Sequence, residues 1–102
     1  MLKYRVVVII DREIESEWVK WMHDVHIPHV LNTNLFSNAS FLKNIENLNE
    51  AEYITEYSID THQDFQKYLL EFASALREEI NEKYDGKYKT RRELLELVNF
   101  FE

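Results

Sequence analysis

His23, His26 and His29 fall close together in the stretch WVKWMHDVHIPHV, residues 18–30, beside Trp18, Trp21 and Met22. Histidines suit two chemistries. An imidazole with a pKa near neutrality can accept or donate a proton, and several imidazoles together can hold a metal ion. The spacing argues against metal. With residues placed every ~100° around a helix, His29 lies about 60° from the direction of Ile14, His26 about 120° and His23 about 180°. Side chains spread that widely cannot converge on one ion unless the chain unwinds at Pro28, and there is no H-E-x-x-H. No metal site and no cofactor is therefore expected. His26 and His29 flank the apolar side of the helix. Each either packs its ring and hydrogen-bonds the backbone, or lines a pocket as a base or ligand partner. They are the candidate catalytic residues. His23 and His62 are expected at the surface.

On the same projection Ile14, Trp18, Trp21 and Val25 lie within about 40° of one direction, with Met22 at the margin. This is a core-facing stripe first. A buried indole N–H needs a partner, though, and in a pocket that partner can be a ligand. Trp18, Trp21, Met22 and Phe36 are the candidate ligand-binding wall. Tyr53 and Tyr57 share one strand face and are expected to pack a dimer rather than act as acids. Ser16, Ser37, Ser40, Ser58 and Ser74 have no context of an activated nucleophile.

The elements that must carry these residues are legible from patterning. YRVVVII, residues 4–10, is apolar on both faces and predicts a central strand covered on both sides. Asp11 is placed to cap a helix running through Pro28 to about residue 32, with Glu13, Glu15 and Glu17 at its positive end. Pro28 should kink or restart it. Residues 35–46 and 51–60 predict an antiparallel pair. Thr61 and Asp64 resemble a capping box. They open a helix whose stripe is Phe65, Leu69, Phe72, Leu76 and Ile80, ended by Asp85-Gly86. Residues 87–97 have helical preference but alternate, and are assigned to a fourth strand. The order β-α-β-β-α-β is the ferredoxin-like α+β pattern, one domain over residues 1–102. Two helices cover only one face of such a sheet. The other face, apolar in part, is expected to pair with a second copy of the chain as a homodimer.

Composition narrows the function. The chain has 102 residues, a formal net charge of -7, no cysteine, one glycine and one proline. The charge disfavours nucleic acid. Missing cysteine removes disulfides and thiolate chemistry. One glycine cannot build a phosphate-binding loop. The apolar N-terminal run is too short to span a membrane, and a cytoplasmic protein is expected. Lys83, Lys87, Lys89, Arg91 and Arg92 form a local basic group, either the protected edge of a sheet or an anion or partner site.

Trp18, Trp21 and Met22, then His26, Ile27, Pro28 and Val30, then Tyr53 and Tyr57 form the pattern W-x-x-W-M, H-I-P-x-V, Y-x-x-x-Y. This resembles a small bacterial family of unassigned function. The resemblance implies the dimeric α+β barrel superfamily, which includes cofactor-free quinol monooxygenases, haem-degrading enzymes and proteins with no known reaction. Their ligands sit between helices and sheet. Where the family has Thr-Gly before the aromatic of the second strand, this chain has Thr33-Asn34-Leu35-Phe36; asparagine also tolerates the left-handed backbone. The expected function is a homodimeric module that binds a small apolar or aromatic ligand or another partner. The alternative is a cofactor-independent monooxygenase acting on a small aromatic or quinol-type substrate, with His26 or His29 as base.

Overall fold

The computed structural model describes residues 1–102. β1 (Leu2–Ile10) leads through a 3-10 turn (Arg12–Ile14) into α1 (Glu15–Trp21), a π-helical turn (Met22–His26) and α2 (Ile27–Leu31). β2 (Phe36–Lys43) and β3 (Ala51–Ile59) follow, then α3 (His62–Glu71), α4 (Ala73–Tyr84) and β4 (Tyr88–Glu96). The sheet order is β2-β3-β1-β4, with every neighbouring pair antiparallel. This is the ferredoxin-like α+β arrangement, with the doubly apolar β1 at its centre. β4 pairs along β1 of its own chain, from Leu2 opposite Glu96 to Ile10 opposite Tyr88.

The helix caps follow local chemistry. Asp11 Oδ1 accepts from the Glu13 N–H at 2.9 Å, and Thr61 Oγ1 from the Asp64 N–H at 3.1 Å. Asn34 takes the left-handed backbone at φ 64°, which asparagine tolerates. Gly86, at φ 75°, turns the chain from α4 into β4.

Pro28 neither ends nor sharply restarts the first helix, because the π-turn precedes it. The Ile27 N–H donates to the Met22 carbonyl, five residues back, which widens the turn where a proline ring would otherwise crowd the carbonyl four residues before it. The wide turn holds one extra residue, so positions after it are set back by about 100°. The stripe that meets the sheet is therefore Trp18, Met22, His26 and Val30, at 1, 3, 6 and 1% exposure. Trp21 and Val25, predicted near its centre, are half-buried.

The second helix also differs from an unbroken one. At Phe72 the backbone leaves helical values (φ −128°, ψ −34°) and divides α3 from α4. Phe65, Tyr68, Ala73, Leu76 and Tyr84 become the buried set, while Leu69 and Phe72 are half-buried.

Register sorts the sheet faces. Tyr4, Val6, Val8 and Ile10 face the helices together with Tyr53, Thr55 and Tyr57. The two β3 tyrosines are thus core residues and not part of the outer face, contrary to the expectation of dimer packing. Tyr4 is the hub of an aromatic group, with ring centroids 5.0 Å from Phe65, 5.8 Å from Tyr68, 6.1 Å from Tyr57 and 6.2 Å from Phe36. The outer face carries Val7, Ile9, Ile54 and Leu42 at its centre. Across it Arg5 pairs with Glu56 at 2.7 Å and, more distantly, with Glu93 at 3.9 Å. No helix is long and apolar enough to cross a membrane.

Candidate functional site

A cavity of about 30 Å³ lies between the helical layer and the inner face of the sheet. Trp18, Met22 and Val30 wall it from the first helical segment, Leu76 from α4, and Val6 and Val8 from β1. A polar rim completes it: His26, Arg77, Thr90 and Arg92, with the phenols of Tyr57 and Tyr68. Of the residues expected at a site, Trp18, Met22 and His26 are brought together here. Trp21 is not on the wall; its ring stacks on the outer side of His26, with centroids 5.2 Å apart. Phe36 does not line the cavity either. It packs into the aromatic group, 4.9 Å from Tyr68 and 5.2 Å from Tyr57. His29 is half exposed and borders a separate surface groove beside Phe72.

The two histidines nonetheless share a partner that sequence spacing does not reveal. Glu79 on α4 holds His26 Nδ1 through Oε1 at 3.2 Å and His29 Nδ1 through Oε2 at 2.9 Å. His26 Nε2 has no hydrogen-bond partner in the protein and is not sealed from its surroundings. When Nδ1 carries the proton toward Glu79, Nε2 is left as the acceptor, the arrangement that orients a general base. His23 is separate, 2.8 Å from Asp24 on the exposed side.

Burial pushes the His26 imidazole below its ordinary value of 6.5; Glu79 opposes the shift, while His29 and Arg92 add to it. The folded protein therefore takes up this proton at lower pH than the unfolded chain does. The contribution is fully present above pH ~6.5 and is lost as pH falls below it, with a slope of at most about 1.4 kcal/mol per pH unit for one group. Urea unfolding at pH 7.5 and 5.5 is expected to show lower stability at pH 5.5 in the native sequence, with His26 contributing at most about 1.4 kcal/mol. In His26→Gln less than half of that loss should remain. An unchanged slope in the variant would assign the effect to other groups.

A second polar cluster joins the start of α1 to the far end of the sheet. Tyr53 donates to Glu15 Oε2 at 2.6 Å, and Lys43 Nζ donates to the same oxygen at 3.1 Å. The Tyr53 hydrogen bond, helped by Lys43 and opposed by burial, holds the Glu15 carboxyl below its usual range. A carboxylate so stabilised is a poor proton acceptor, so this cluster fastens the helix rather than supplying a base.

Two buried polar atoms have no partner, and both border the cavity: Arg77 Nε and Thr90 Oγ1. Arg77 Nη2 donates to Tyr4 Oη at 3.3 Å. Sequence reading does not select Arg77, Glu79 or Thr90. Arg92 does appear, within the basic group, and β4 is the edge strand that such a group was expected to protect.

The strand order and helical layer define the class, a ferredoxin-like α+β fold. Solved structures share it. A dimeric ferredoxin-like protein from an uncultured marine organism is 15% identical, covers 99% of this chain and 98% of its own, and has a TM-score of 0.73. HapK from Hahella chejuensis is 9% identical, with 100% and 98% coverage and a TM-score of 0.72. A variant of SnoaB, described as a cofactor-independent oxygenase from Streptomyces nogalater, is 14% identical, with 97% and 94% coverage and a TM-score of 0.57. Likeness at these identities establishes the fold alone. No curated protein sequence matches this one. The chain belongs to the family described as a domain of unknown function, DUF4286, whose model matches residues 1–98.

Proposed function

We propose that this protein acts in the cytoplasm as a homodimeric small-ligand-binding module, holding its ligand between the helices and the sheet. The observation that carries this reading is the cavity, where apolar walls meet polar groups left without partners. Apolar walls with a few convergent polar groups are the chemistry of small-molecule sites, and a space of about 30 Å³ takes one end of such a ligand. The outer sheet face supports the dimer: Leu42 is 47% exposed there, beside the half-buried Ile9 and Ile54. A structural neighbour described as dimeric supports it too.

A second reading has its own observation. The Glu79–His26 pair leaves Nε2 available beside an apolar cavity. SnoaB is described as a cofactor-independent oxygenase; in a cofactor-independent monooxygenase the substrate's own anion reacts with oxygen, so the protein need supply only a base and a dry site. Here His26 would be the base, on a small aromatic or quinol-type substrate. His29 would position Glu79.

Native mass spectrometry of freshly purified protein tests the first reading. A dimer is expected, carrying a small adduct when the ligand is retained. A monomer would remove the dimer. Oxygen uptake with a panel of quinols tests the second: turnover abolished in His26→Ala but not in His29→Ala is the expected enzymatic result. No uptake above buffer would leave only the binding module.

A further inference from the structure

Arg77 and Arg92 both border the cavity, and neither forms an ion pair with any carboxylate of the protein. Most cations of this chain that lack a carboxylate partner are exposed to water, Arg92 among them, but Arg77 is half-buried. Arg77 Nε is buried and donates to nothing, and the Thr90 hydroxyl is buried beside the same space without a partner. Buried donors without acceptors are destabilising unless something occupies the site. Water could satisfy the two orphans, but it would bring no negative charge to the half-buried Arg77.

The phenols add to this pattern. The hydroxyls of Tyr4, Tyr53, Tyr84 and Tyr88 are all engaged with protein groups. Those of Tyr57 and Tyr68, which line the cavity, are not. Burial pushes the Tyr68 phenol up to about 12 and the Tyr57 phenol further, so both remain neutral O–H donors. The lining thus offers hydroxyls, which both donate and accept, and two positive charges, with no carboxylate to balance them.

We propose that the cavity takes the carboxylate of a small organic acid, with Arg77 Nε and Thr90 Oγ1 as its donors and Arg92 at the mouth. This rests on the ligand-binding reading above. The space of about 30 Å³ holds a few atoms, which suits a flat carboxylate better than a bulkier tetrahedral phosphate. The remainder of the acid must extend outward. Arg92 is exposed, so the opening lies on its side, between α4 and the β4 edge. An apolar or aromatic tail would there lie against the side chains of Ile80 and Tyr88. Arginine is the side chain suited to a planar acid, since its fixed N–H directions match carboxylate oxygens.

The test is a titration of the intact protein, followed by 1H–15N NMR, with acetate and benzoate against acetamide and benzamide at constant ionic strength. The amides match the acids in shape and lack the charge. The acids are expected to shift the Thr90 amide and the Trp18 indole, and to bind about tenfold or more tighter than the amides, the ratio that one charge-assisted hydrogen bond supplies. Arg77→Gln and Thr90→Val should each remove that preference while retaining a dispersed native spectrum. Thr90→Val changes no charge and keeps the test decisive if Arg77→Gln unfolds. Equal binding of acids and amides would overturn the carboxylate assignment and leave the binding module standing. A preference that survives both substitutions would place the acid elsewhere and also overturn it. No shift at cavity residues from any probe would remove both readings.

Discussion

Trp18→Ala is expected to lower stability by about 3–5 kcal/mol, the range for emptying a large buried aromatic site. Trp18 is 1% exposed. Its indole meets Phe41 and Tyr53 edge-on, with centroids at 5.7 and 5.2 Å, so truncation removes two aromatic contacts as well as buried area. A domain of this size commonly has about 5–15 kcal/mol in total, so the variant should unfold at least about 12 °C lower or fail to accumulate. Trp21→Ala supplies the contrast. On an unbroken α-helix Trp21 and Trp18 lie equally far, about 30°, from the stripe centre, yet Trp21 is half-buried and stacked on His26. It should lose about 1–2 kcal/mol, by the smaller area it removes from water. Paired urea denaturation curves measure both. Equal losses would contradict the stripe Trp18, Met22, His26, Val30.

Phe36→Ala is the second large effect, again about 3–5 kcal/mol. Phe36 opens β2 two residues after the left-handed Asn34 and inserts among Tyr4, Tyr57 and Tyr68. Those rings come from β1, β3 and α3, so one side chain ties three elements together. Phe36→Leu keeps most of the volume and loses the aromatic geometry, and should lose less than about 1.5 kcal/mol. The measurement is chemical denaturation of both variants. A loss below about 1 kcal/mol for the alanine change would mean that the group closes around the gap, and that Phe36 is not the fastener its position implies.

The strands are legible because their residues declare themselves. The β-branched run of β1 and the alternation of β3 leave little choice of element. β4 is less direct: RRELLELV favours a helix locally, and only the need of a fourth strand beside β1 overrides it. The turn at Asn34 is readable from the residue itself, since few residues other than glycine and asparagine adopt that backbone comfortably. The two irregularities in the helices are harder. Phe72 has no glycine or proline beside it to signal a break. The π-turn has one sequence signal, Pro28, whose ring needs room at the carbonyl four residues earlier. Read as a kink, that signal leaves His26 about 120° from Ile14; read as a widened turn, it brings His26 onto the stripe.

The candidate site was half legible for the same reason. Trp18, Met22 and His26 belong to one segment, where spacing carries information. Glu79, Arg77 and Thr90 reach the site from α4 and β4, and no local pattern pairs a glutamate with a histidine 53 positions away. A charged residue on a helix with other exposed acids reads as solvated surface until the helices are placed together.

The π-turn also bears on how the length of this segment can vary. It is in effect a one-residue insertion absorbed within a helix. A chain lacking Val25 could close an ordinary α-turn there and still present Trp18, Met22, the imidazole and Val30 on one side, because removing the residue and removing the set-back cancel. Such a chain would lose the wide carbonyl spacing that admits the Pro28 ring. The insertion and the proline are therefore tolerated as a pair. A relative one residue shorter between the second tryptophan and the isoleucine before the proline position should carry another residue where this chain has Pro28.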